Sequence, residues 1–533
     1  MSQDFDAIII GAGMSGMYQL LRLRELGMRV RVFETGSGVG GTWYWNRYPG
    51  ARFDSESYSY GFSFSPELLQ EWSWSEHFAP QPETERYLNH VADRFDLRRD
   101  IQFRSRVASA RYREATQDWQ VTLDDGSTHT ARFLITAVGP LSAPTLPRIE
   151  GRDSFQGQSF HTYHWPHGPV DFAGKRVAVI GTGATGVQTI QEVAKTAASL
   201  TVFQRTPNWC APLHNRPITD EEQARIKASY PEIFRRCEET FSCFLHTTDP
   251  RGTFEVSAAE REAFLEKLYG EPGFGIWVGL FRDMLTDPAA NAIVSDFIAR
   301  KIRSRVKDPA TAEKLIPKKH GFGTRRVPLE TRYYEVYNQP NVTLVDIKAT
   351  PIERITPTGI RTADADYAFD IIVFATGFDA LTGSFDRIDI RGKGGRSLKD
   401  AWAGGARTLV GMLADGDFPN LLMLLGPHTA LGNIPRSIEY NVDWVTRLLR
   451  HMRQQGLTHV AAKPDAVATW MEHVMAVGEG LLSNQVDSWF TGVNSNVEGK
   501  QTRTIARYSG SAPAYRARCD EVAAANYREM VLS

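Results

Sequence analysis

Two glycine-rich fingerprints of the form Gly-x-Gly-x-x-Gly constrain the fold of this chain more than any other feature. The first spans Gly11–Gly16 and the second spans Gly181–Gly186. Each follows a short apolar run, Ala7–Ile10 or Val177–Ile180, and each opens a stretch with helical periodicity. This order of strand, tight turn and helix is typical of a turn whose free N–H groups face a pyrophosphate. The sequence therefore predicts two dinucleotide-binding units.

The residues that end the second strand of each unit differ in charge. Behind the first fingerprint, the strand Arg29–Phe33 ends at Glu34, whose carboxylate can accept hydrogen bonds from both hydroxyls of an adenosine ribose. Behind the second, the strand Ser199–Phe203 ends at Gln204–Thr206, where Arg205 can grip a phosphate and no carboxylate repels it. The first site therefore fits FAD or NAD, and the second fits NADPH. The alternative is that both are solvated charges at strand ends.

Length and composition predict a multidomain globular chain that binds neither nucleic acid nor a membrane. A chain of 533 residues is longer than a domain with a single hydrophobic core usually is, and a hydrophobic content of 42% is enough to form several such cores. The net charge is −1 with no charged block, so we expect neither nucleic acid nor a membrane as a partner. Cys210, Cys237, Cys243 and Cys519 match neither a disulfide framework nor a metal-ligand pattern. With no signal peptide or apolar span, we expect a cytoplasmic protein without a metal.

Two longer motifs carry a resemblance to a known family. The stretch Phe155–Pro166 reads Phe-x-Gly-x-x-x-His-x-x-x-Trp-Pro and resembles the signature of type I Baeyer–Villiger monooxygenases at every specified position. The aromatic stretch Gly40–Asp54 resembles that family's other pattern. These enzymes are class B flavoprotein monooxygenases, similar to cyclohexanone and phenylacetone monooxygenases. The resemblance covers nearly the whole chain, to Asp487–Gly492. For His161 it implies coupling between domains, and the alternative is a linker histidine that bonds the backbone.

The resemblance implies an α/β fold with two Rossmann-like dinucleotide-binding domains, for FAD and for NADPH, and a helical insert. We expect the FAD-binding domain to comprise residues 1–143 and 381–533. The NADPH-binding domain is expected at 151–208 and 324–380, with the helical insert at 209–323. Prolines break the chain after the first segment, which favours a linker there.

The resemblance also implies a reaction. NADPH reduces FAD, oxygen adds to the flavin, and the C4a-peroxyflavin inserts one oxygen atom beside a ketone carbonyl, giving an ester or lactone. Negative charge then develops on the former carbonyl oxygen, so a fixed cation is required beside the flavin. Arg326 falls where the family has its catalytic arginine, and Asp54 resembles the carboxylate that pairs with it. The alternatives are a surface charge beside Arg325 and a turn-capping aspartate.

The cofactor contacts implied by the resemblance form two sets. For FAD they are Gly11, Gly13, Ser15, Gly16, Glu34, Gly41, Thr42, Trp43, Asp54, Tyr60 and Val107. For NADPH they are Arg52, Thr182, Gly183, Ala184, Thr185, Gly186, Gln188, Arg205, Thr206, Arg325, Arg326 and Trp489. Arg325 stands where a lysine is expected, and both cations suit a 2′-phosphate although their geometry differs. Trp489 resembles a tryptophan on a mobile loop over the nicotinamide, with ordinary packing as the alternative.

Other functions remain open from the residues. An N- or S-oxidising flavin monooxygenase shares both fingerprints. Its counterpart of the stretch Phe155–Pro166, called the linker motif below, ends in an aromatic residue other than the tryptophan found here at Trp165. A disulfide reductase needs a cysteine pair beside the flavin, whereas Cys237 and Cys243 lie in the helical insert. An idle redox sensor would lack Arg326 or Asp54. We therefore expect a ketone and O2 as substrates and no obligate protein partner.

Overall fold

The protein is described from a computed structural model that covers residues 3–533, so the first two residues of the predicted segment 1–143 lie outside the described residues. Strands are numbered in chain order. They are β1 Phe5–Ile10, β2 Val30–Phe33, β3 Ile101–Gln102, β4 Val107–Arg113, β5 Asp118–Leu123, β6 Thr128–Thr136, β7 Gln158–His161, β8 Arg176–Ile180, β9 Ser199–Gln204, β10 Ala211–Pro212, β11 Leu329–Glu330, β12 Val342–Asp346, β13 Ile352–Thr356, β14 Gly359–Thr362, β15 Asp366–Ala368, β16 Ile371–Phe374, β17 Asp389–Arg391, β18 Thr408–Leu409, β19 Leu413–Ala414, β20 Leu421–Met423, β21 Val460–Ala462 and β22 Met530–Leu532.

The helices are numbered in the same way. They are α1 Met14–Glu25, α2 Thr42–Trp45, α3 Ser57–Tyr60, α4 Pro66–Glu71, α5 Gln81–Arg94, α6 Ala184–Val193, α7 Asp220–Glu239, α8 Ala258–Gly270, α9 Gly275–Val278, α10 Pro288–Arg305, α11 Pro309–Leu315, α12 Tyr333–Val336, α13 Leu398–Ala401, α14 Ile434–Gln455, α15 Pro464–Val477 and α16 Ala512–Ala524.

A large mixed sheet surrounds the first fingerprint. Its strands run in the order β17-β4-β5-β6-β1-β2-β3, and β1 is parallel to both β2 and β6. The chain returns late to this sheet, because β20 pairs with β6 and continues through β19 to β18. On one face, α1 packs along α14, where Gln19 donates a hydrogen bond of 3.1 Å to Thr446. The turn between β1 and α1 therefore lies at the carboxyl edge of a well-packed sheet.

A second sheet, entirely parallel, surrounds the second fingerprint in the order β12-β9-β8-β16-β7. Its central strands β8 and β16 are almost continuously buried, as expected for parallel strands covered on both faces. The helix α6 follows β8 directly, so this β8–α6–β9 unit repeats the β1–α1–β2 unit. The α/β class with paired dinucleotide-binding folds is thereby confirmed.

The helices α7 to α11 form the insert between β10 and β11. Capping explains where they begin: Thr219 and Glu222 form a capping box at α7, Ser257 and Glu260 form another at α8, and Asp287 accepts from the first turn of α10. Leu265 and Phe297 of the insert share a core with strands of the second sheet. The helical insert thus packs against the second unit.

Among residues 3–533, no helix is long and apolar enough to cross a membrane. The four cysteines are free and buried. Within the same range, no group of three or more histidine, cysteine, aspartate or glutamate residues is arranged to hold a metal ion.

Candidate active site

The first fingerprint turn has a backbone that requires glycine. Gly11 adopts φ +103°, and a Cβ there would lie 2.6 Å from the carbonyl oxygen of Ala137 at the end of β6. A Cβ at Gly16 would lie 1.9 Å from the carbonyl oxygen of Gly11. Gly13 occupies the N-cap of α1. The start of the helix is therefore held tightly against the end of the sheet, with its free N–H groups at the cleft.

Glu34 lies beside this turn and is 5% exposed. Its Oε2 accepts a hydrogen bond of 2.7 Å from the N–H of Ala12, and its Oε1 accepts one of 2.7 Å from the N–H of Gly36. Burial raises the pKa of this carboxyl, and the backbone bonds act in the opposite direction. Each oxygen has a further lone pair, so the carboxylate is oriented to receive hydroxyl donors from the cleft.

An elongated cleft with about 1420 Å³ of empty space, part of it open to solvent, begins at this turn. Most of the predicted flavin contacts line it: Gly11, Gly13, Ser15, Glu34, Gly41, Thr42, Trp43, Tyr60 and Val107. Gly16 lies beneath the turn, and Asp54 lies with Arg326 instead. The cleft also has walls that sequence reasoning missed, including Arg106, Tyr163, Arg387, Leu425, Ile434 and Ile438. Tyr163 lies at an unspecified position of the motif Phe155–Pro166, and no local pattern marks the others, because they come from distant parts of the chain.

The second fingerprint turn repeats the first. Gly181 adopts φ +110°, and a Cβ there would lie 2.4 Å from the carbonyl oxygen of Ala375 at the end of β16. A Cβ at Gly186 would lie 2.3 Å from the carbonyl oxygen of Gly181. At Gly183, the N-cap of α6, a Cβ would meet no atom within 4 Å. That space allows a ligand to approach the backbone closely.

Side chains next to this turn tie it to neighbouring segments. Thr182 donates a hydrogen bond of 3.1 Å to the carbonyl oxygen of Thr206. Thr185, which follows Ala184 at the start of α6, accepts a hydrogen bond of 3.3 Å from Thr162 in the linker motif. Of the predicted residues of this turn, Gly186 packs beneath it, whereas Gly183 faces open space.

Gln188 connects α6 to the aromatic motif of the first unit. Its Oε1 accepts a hydrogen bond of 2.7 Å from the hydroxyl of Tyr48, and its Nε2 donates one of 3.0 Å to the carbonyl oxygen of Arg52. The guanidinium of Arg52 pairs with Glu76 at 3.0 Å. Arg52 therefore contacts the second unit through its backbone carbonyl oxygen, and its side chain pairs within the first unit.

A cluster of cations lies beyond the end of β9. Burial, and then the nearby charge of Arg205, lower the pKa of Arg325. Burial and the charges of Arg325 and Lys348 lower the pKa of His320 to about 4. Burial, Lys319 and the two arginines also lower the pKa of Lys348. Asp487 acts in the opposite direction on Arg325, and Asp346 on Lys348, but each offsets only part of the lowering. The cluster therefore favours an anionic ligand such as a phosphate.

The cation cluster also touches the C-terminal segment that carries Trp489. Arg205 donates a hydrogen bond of 2.6 Å to the hydroxyl of Ser495, and Arg325 donates one of 2.8 Å to the carbonyl oxygen of Asp487. Trp489 begins a 3₁₀ turn there, half-buried, with its ring 4.4 Å from that of Phe490. Lys348, His320 and Ser495 were not identified from the sequence.

Arg326 and Asp54 form an ion pair of 2.8 Å between the two units. Asp54 is 4% exposed; its Oδ2 also accepts a hydrogen bond of 3.2 Å from the N–H of Leu329, while its Oδ1 has no hydrogen-bond partner in the described part of the chain. The guanidinium lies 5.4 Å from the ring centroid of Phe274. A permanently charged group is thus held by one carboxylate, the carbonyl oxygen of Val327 and one aromatic face.

His161 ends β7 in the linker motif and is 7% exposed. Its Nδ1 accepts a hydrogen bond of 3.0 Å from the N–H of Tyr163. Burial, with a smaller contribution from His164, lowers the pKa of His161 to about 4. The ring is therefore neutral near pH 7, and it joins the linker to the end of the second sheet.

Comparisons with known proteins agree with this architecture. A family model described as flavin-binding monooxygenase-like matches residues 6–216. The chain is 48% identical over 540 residues to 2-oxo-Δ3-4,5,5-trimethylcyclopentenylacetyl-CoA monooxygenase of Pseudomonas putida, covering 100% of this chain and 99% of that protein. It is 41% identical to a Baeyer–Villiger monooxygenase of Pseudooceanicola batsensis, over 95% of this chain and 92% of that protein.

Among solved structures, the crystal structure of OTEMO in complex with FAD and NADP matches with a TM-score of 0.96 and 48% identity, covering 100% of both chains. The fold and site define a flavin monooxygenase with two dinucleotide-binding domains. This chain belongs to the flavin-binding monooxygenase-like family, and within it to the Baeyer–Villiger monooxygenases. The family expected from the sequence is confirmed.

Proposed function

We propose that this protein uses NADPH, FAD and O2 to insert one oxygen atom beside the carbonyl group of a ketone, giving an ester or lactone. The observation that carries the proposal is the 2.8 Å ion pair between the buried Asp54 and the partly exposed Arg326, which joins the two dinucleotide-binding units. It combines a fixed cation with sites for an electron donor and a flavin. This is the arrangement that the reaction needs, because negative charge moves onto the substrate oxygen.

The cleft at the first fingerprint fits FAD. Glu34 is oriented by the Ala12 and Gly36 amides to receive ribose hydroxyls, and the start of α1 offers N–H groups to a pyrophosphate. The cleft extends past Trp43 and Tyr60 to Leu425, which gives an isoalloxazine ring apolar walls. When bound, FAD supplies the redox chemistry that activates O2. The role of the protein is to bind it, exclude water and hold charge nearby.

The second turn and the cation cluster fit NADPH. The empty space at Gly183 allows a pyrophosphate to approach the backbone, and Arg205 and Arg325 supply donors for a 2′-phosphate. A single phosphate would offset the repulsion that lowers the pKa of Arg325. This supports a preference for NADPH over NADH.

We assign Arg326 the role of stabilising negative charge on the reacting oxygen atoms. A guanidinium keeps its proton in proteins, so it supplies charge without acting as an acid. The ion pair with Asp54 restricts the position of the guanidinium. Because Oδ1 of Asp54 has no hydrogen-bond partner in the described residues, it is available as an acceptor when ligands are bound.

Conversion of ketones tests the proposal directly. The holoenzyme is incubated with NADPH and 18O2 and a panel of cyclic, aromatic and long aliphatic ketones, and products are identified by mass spectrometry. We expect NADPH oxidation to increase with a ketone and one 18O atom to appear beside the carbonyl of the product. Formation of N-oxides or sulfoxides alone, from amines and thioethers in the same panel, would instead support the N- or S-oxidising alternative.

The flavin assignment has its own test. We expect the purified protein to be yellow and denaturation to release FAD, because the proposed site holds it by hydrogen bonds and packing. Flavin that stays attached to the precipitate would contradict non-covalent binding. Colourless protein that takes up no added FAD would contradict the cofactor.

We also propose the domain limits expected from the sequence, with FAD-binding parts at 1–143 and 381–533, NADPH-binding parts at 151–208 and 324–380, and the insert at 209–323. The membership of strands in the large and parallel sheets supports them. Buried free thiols support a reducing, cytoplasmic location.

A further inference from the structure

A second buried carboxylate lies two residues beyond Asp54. Glu56 is 6% exposed, and its Oε1 lies 2.8 Å from Nε2 of His246, which belongs to the helical insert. Its Oε2 is buried and has no hydrogen-bond partner within residues 3–533. Burying a carboxylate with an unpaired oxygen is costly, so the contact with His246 is important to the stability of this arrangement.

Glu56 and His246 pack against the turn 273–275, in which a glycine stands on each side of Phe274. Gly273 adopts φ +78°, and a Cβ there would lie 2.9 Å from Oε1 of Glu56 and 3.2 Å from Nε2 of His246. At Gly275 a Cβ would lie 3.3 Å from Nδ1 of His246. The backbone of the turn therefore rests directly on the two polar side chains, and their positions determine where residue 274 lies.

Phe274 connects this turn to Arg326. Its ring centroid lies 5.4 Å from the guanidinium carbon of Arg326, which in turn pairs with Asp54 at 2.8 Å. Because Asp54 and Glu56 are two residues apart, the contacts close a ring through Arg326, Phe274, His246 and Glu56. A shift at any member of the ring is transmitted to the guanidinium, since packed side chains leave little free space.

We propose that Glu56 and His246 are positioning residues for Arg326, acting through Phe274 and the turn 273–275. The proposal rests on the role of Arg326 under the proposed function. Electrostatic stabilisation depends on a charge that is already in place when the reaction occurs. Loosening the turn is therefore expected to slow the chemical step, while the contacts that Arg205 and Arg325 are proposed to make with the 2′-phosphate of NADPH stay unchanged.

The first test compares two substitutions of one residue. His246→Ala removes both the contact and its N–H donor, and we expect kcat for ester formation to fall by about 10-fold to 100-fold, the loss typical of misplaced catalytic groups. The KM for NADPH and the affinity for NADP+, measured by ligand titration, should stay within about 2-fold, a change that corresponds to only a few tenths of a kcal/mol. His246→Gln keeps an N–H donor that reaches Glu56, so it should recover most of kcat.

A double-mutant cycle identifies the route of the effect. If the pair acts through Phe274, the variant with both His246→Ala and Phe274→Leu should be no slower than the slower single variant, because coupled residues are not additive. A general structural role would instead multiply the two losses. Asp249→Asn is the matched control, since it breaks a 2.8 Å ion pair with Arg251 elsewhere in the insert and should leave kcat unchanged.

An unchanged kcat in His246→Ala, an equal loss in His246→Gln, or multiplied losses in the cycle would overturn the inference. If His246→Ala does not fold, Glu56→Gln, which keeps an acceptor at Oε1 and loses the charge, replaces it in the same measurements. Loss of ester formation in Arg326→Ala together with an unaffected His246→Ala would overturn this inference alone. Full activity in Arg326→Ala would overturn the proposed role of Arg326 itself.

Discussion

The turns at the two fingerprints have the same backbone conformation, whereas the side chains beside them carry opposite charges. Gly11 and Gly181 adopt φ of +103° and +110°, and in each turn a Cβ on the third glycine would overlap the carbonyl oxygen of the first. Beside the first turn lies Glu34, a buried carboxylate held by backbone amides. Beside the second lies Arg205, within a cation cluster. The two turns thus have the same backbone geometry, and under the proposed function the charge at the strand end distinguishes the FAD site from the NADPH site.

The largest effect is expected from the glycines that pack within a turn. Gly16→Ala introduces a Cβ 1.9 Å from the Gly11 carbonyl oxygen, so α1 must move, and we expect a loss of FAD binding and destabilisation by more than about 4 kcal/mol. Flavin absorbance and thermal unfolding measure both. Gly183→Ala is the matched control in the other turn, where the Cβ meets no protein atom: it should stay folded and yellow and lose only affinity for NADP+. Wild-type flavin content in Gly16→Ala would contradict the geometry.

The next largest effect concerns the pair that joins the two units. Arg326→Ala should retain FAD, because the turn and Glu34 lie elsewhere, and it should lose ester formation by about 10²-fold to 10³-fold, as for other transition-state charge donors. Product analysis measures this loss, and stopped-flow spectra measure the rate of flavin reduction. Arg326→Lys keeps the charge without the fork and should recover activity only in part. Wild-type conversion by Arg326→Ala would make Arg325 the candidate cation.

A smaller effect is expected at the strand-end cation itself. Arg205→Ala should raise the KM for NADPH by about 10-fold to 100-fold, because a hydrogen bond to a charged group contributes about 1.5–3 kcal/mol. The KM for NADH serves as the internal control and should change little, since NADH lacks the 2′-phosphate. Steady-state kinetics with both cofactors measure the difference. Equal losses with the two cofactors would show that Arg205 does not contact the phosphate.

The smallest effect concerns how the second unit responds to pH. Burial lowers the pKa of His161 to about 4, so at pH 5 the unfolded chain binds a proton that the folded protein excludes. The contribution of His161 to stability is therefore complete only well above the unfolded pKa of about 6.5 and falls as the pH drops, by about 2 kcal/mol between pH 7 and pH 5. His161→Asn, which keeps an acceptor for the Tyr163 N–H, should lose this part of the pH dependence in denaturant titrations. An identical pH dependence in the variant would refute it.

Sequence reasoning was strongest where structure is local. Glu34 lies directly after β2, and Arg205 directly after β9, because a glycine turn and an apolar run specify a strand end within a few residues. It was weakest where contacts span the chain. His320 lies in the same loop as Arg325, and Lys348 joins them and Arg205 from another loop. No periodicity or motif links these positions, so their convergence could not be read from the sequence.

The sequence by itself determined the two glycine-rich turns, the charge at each strand end and, through the linker motif, the family. These features depend on backbone conformations that only glycine adopts and on periodicities within single elements. Only the tertiary structure decided that Asp54 pairs with Arg326, that the cations meet around Arg325, and that Glu56 reaches His246 across 190 positions of the chain. Such contacts follow from how the sheets, linker and insert pack, which depends on the whole core and on no single segment.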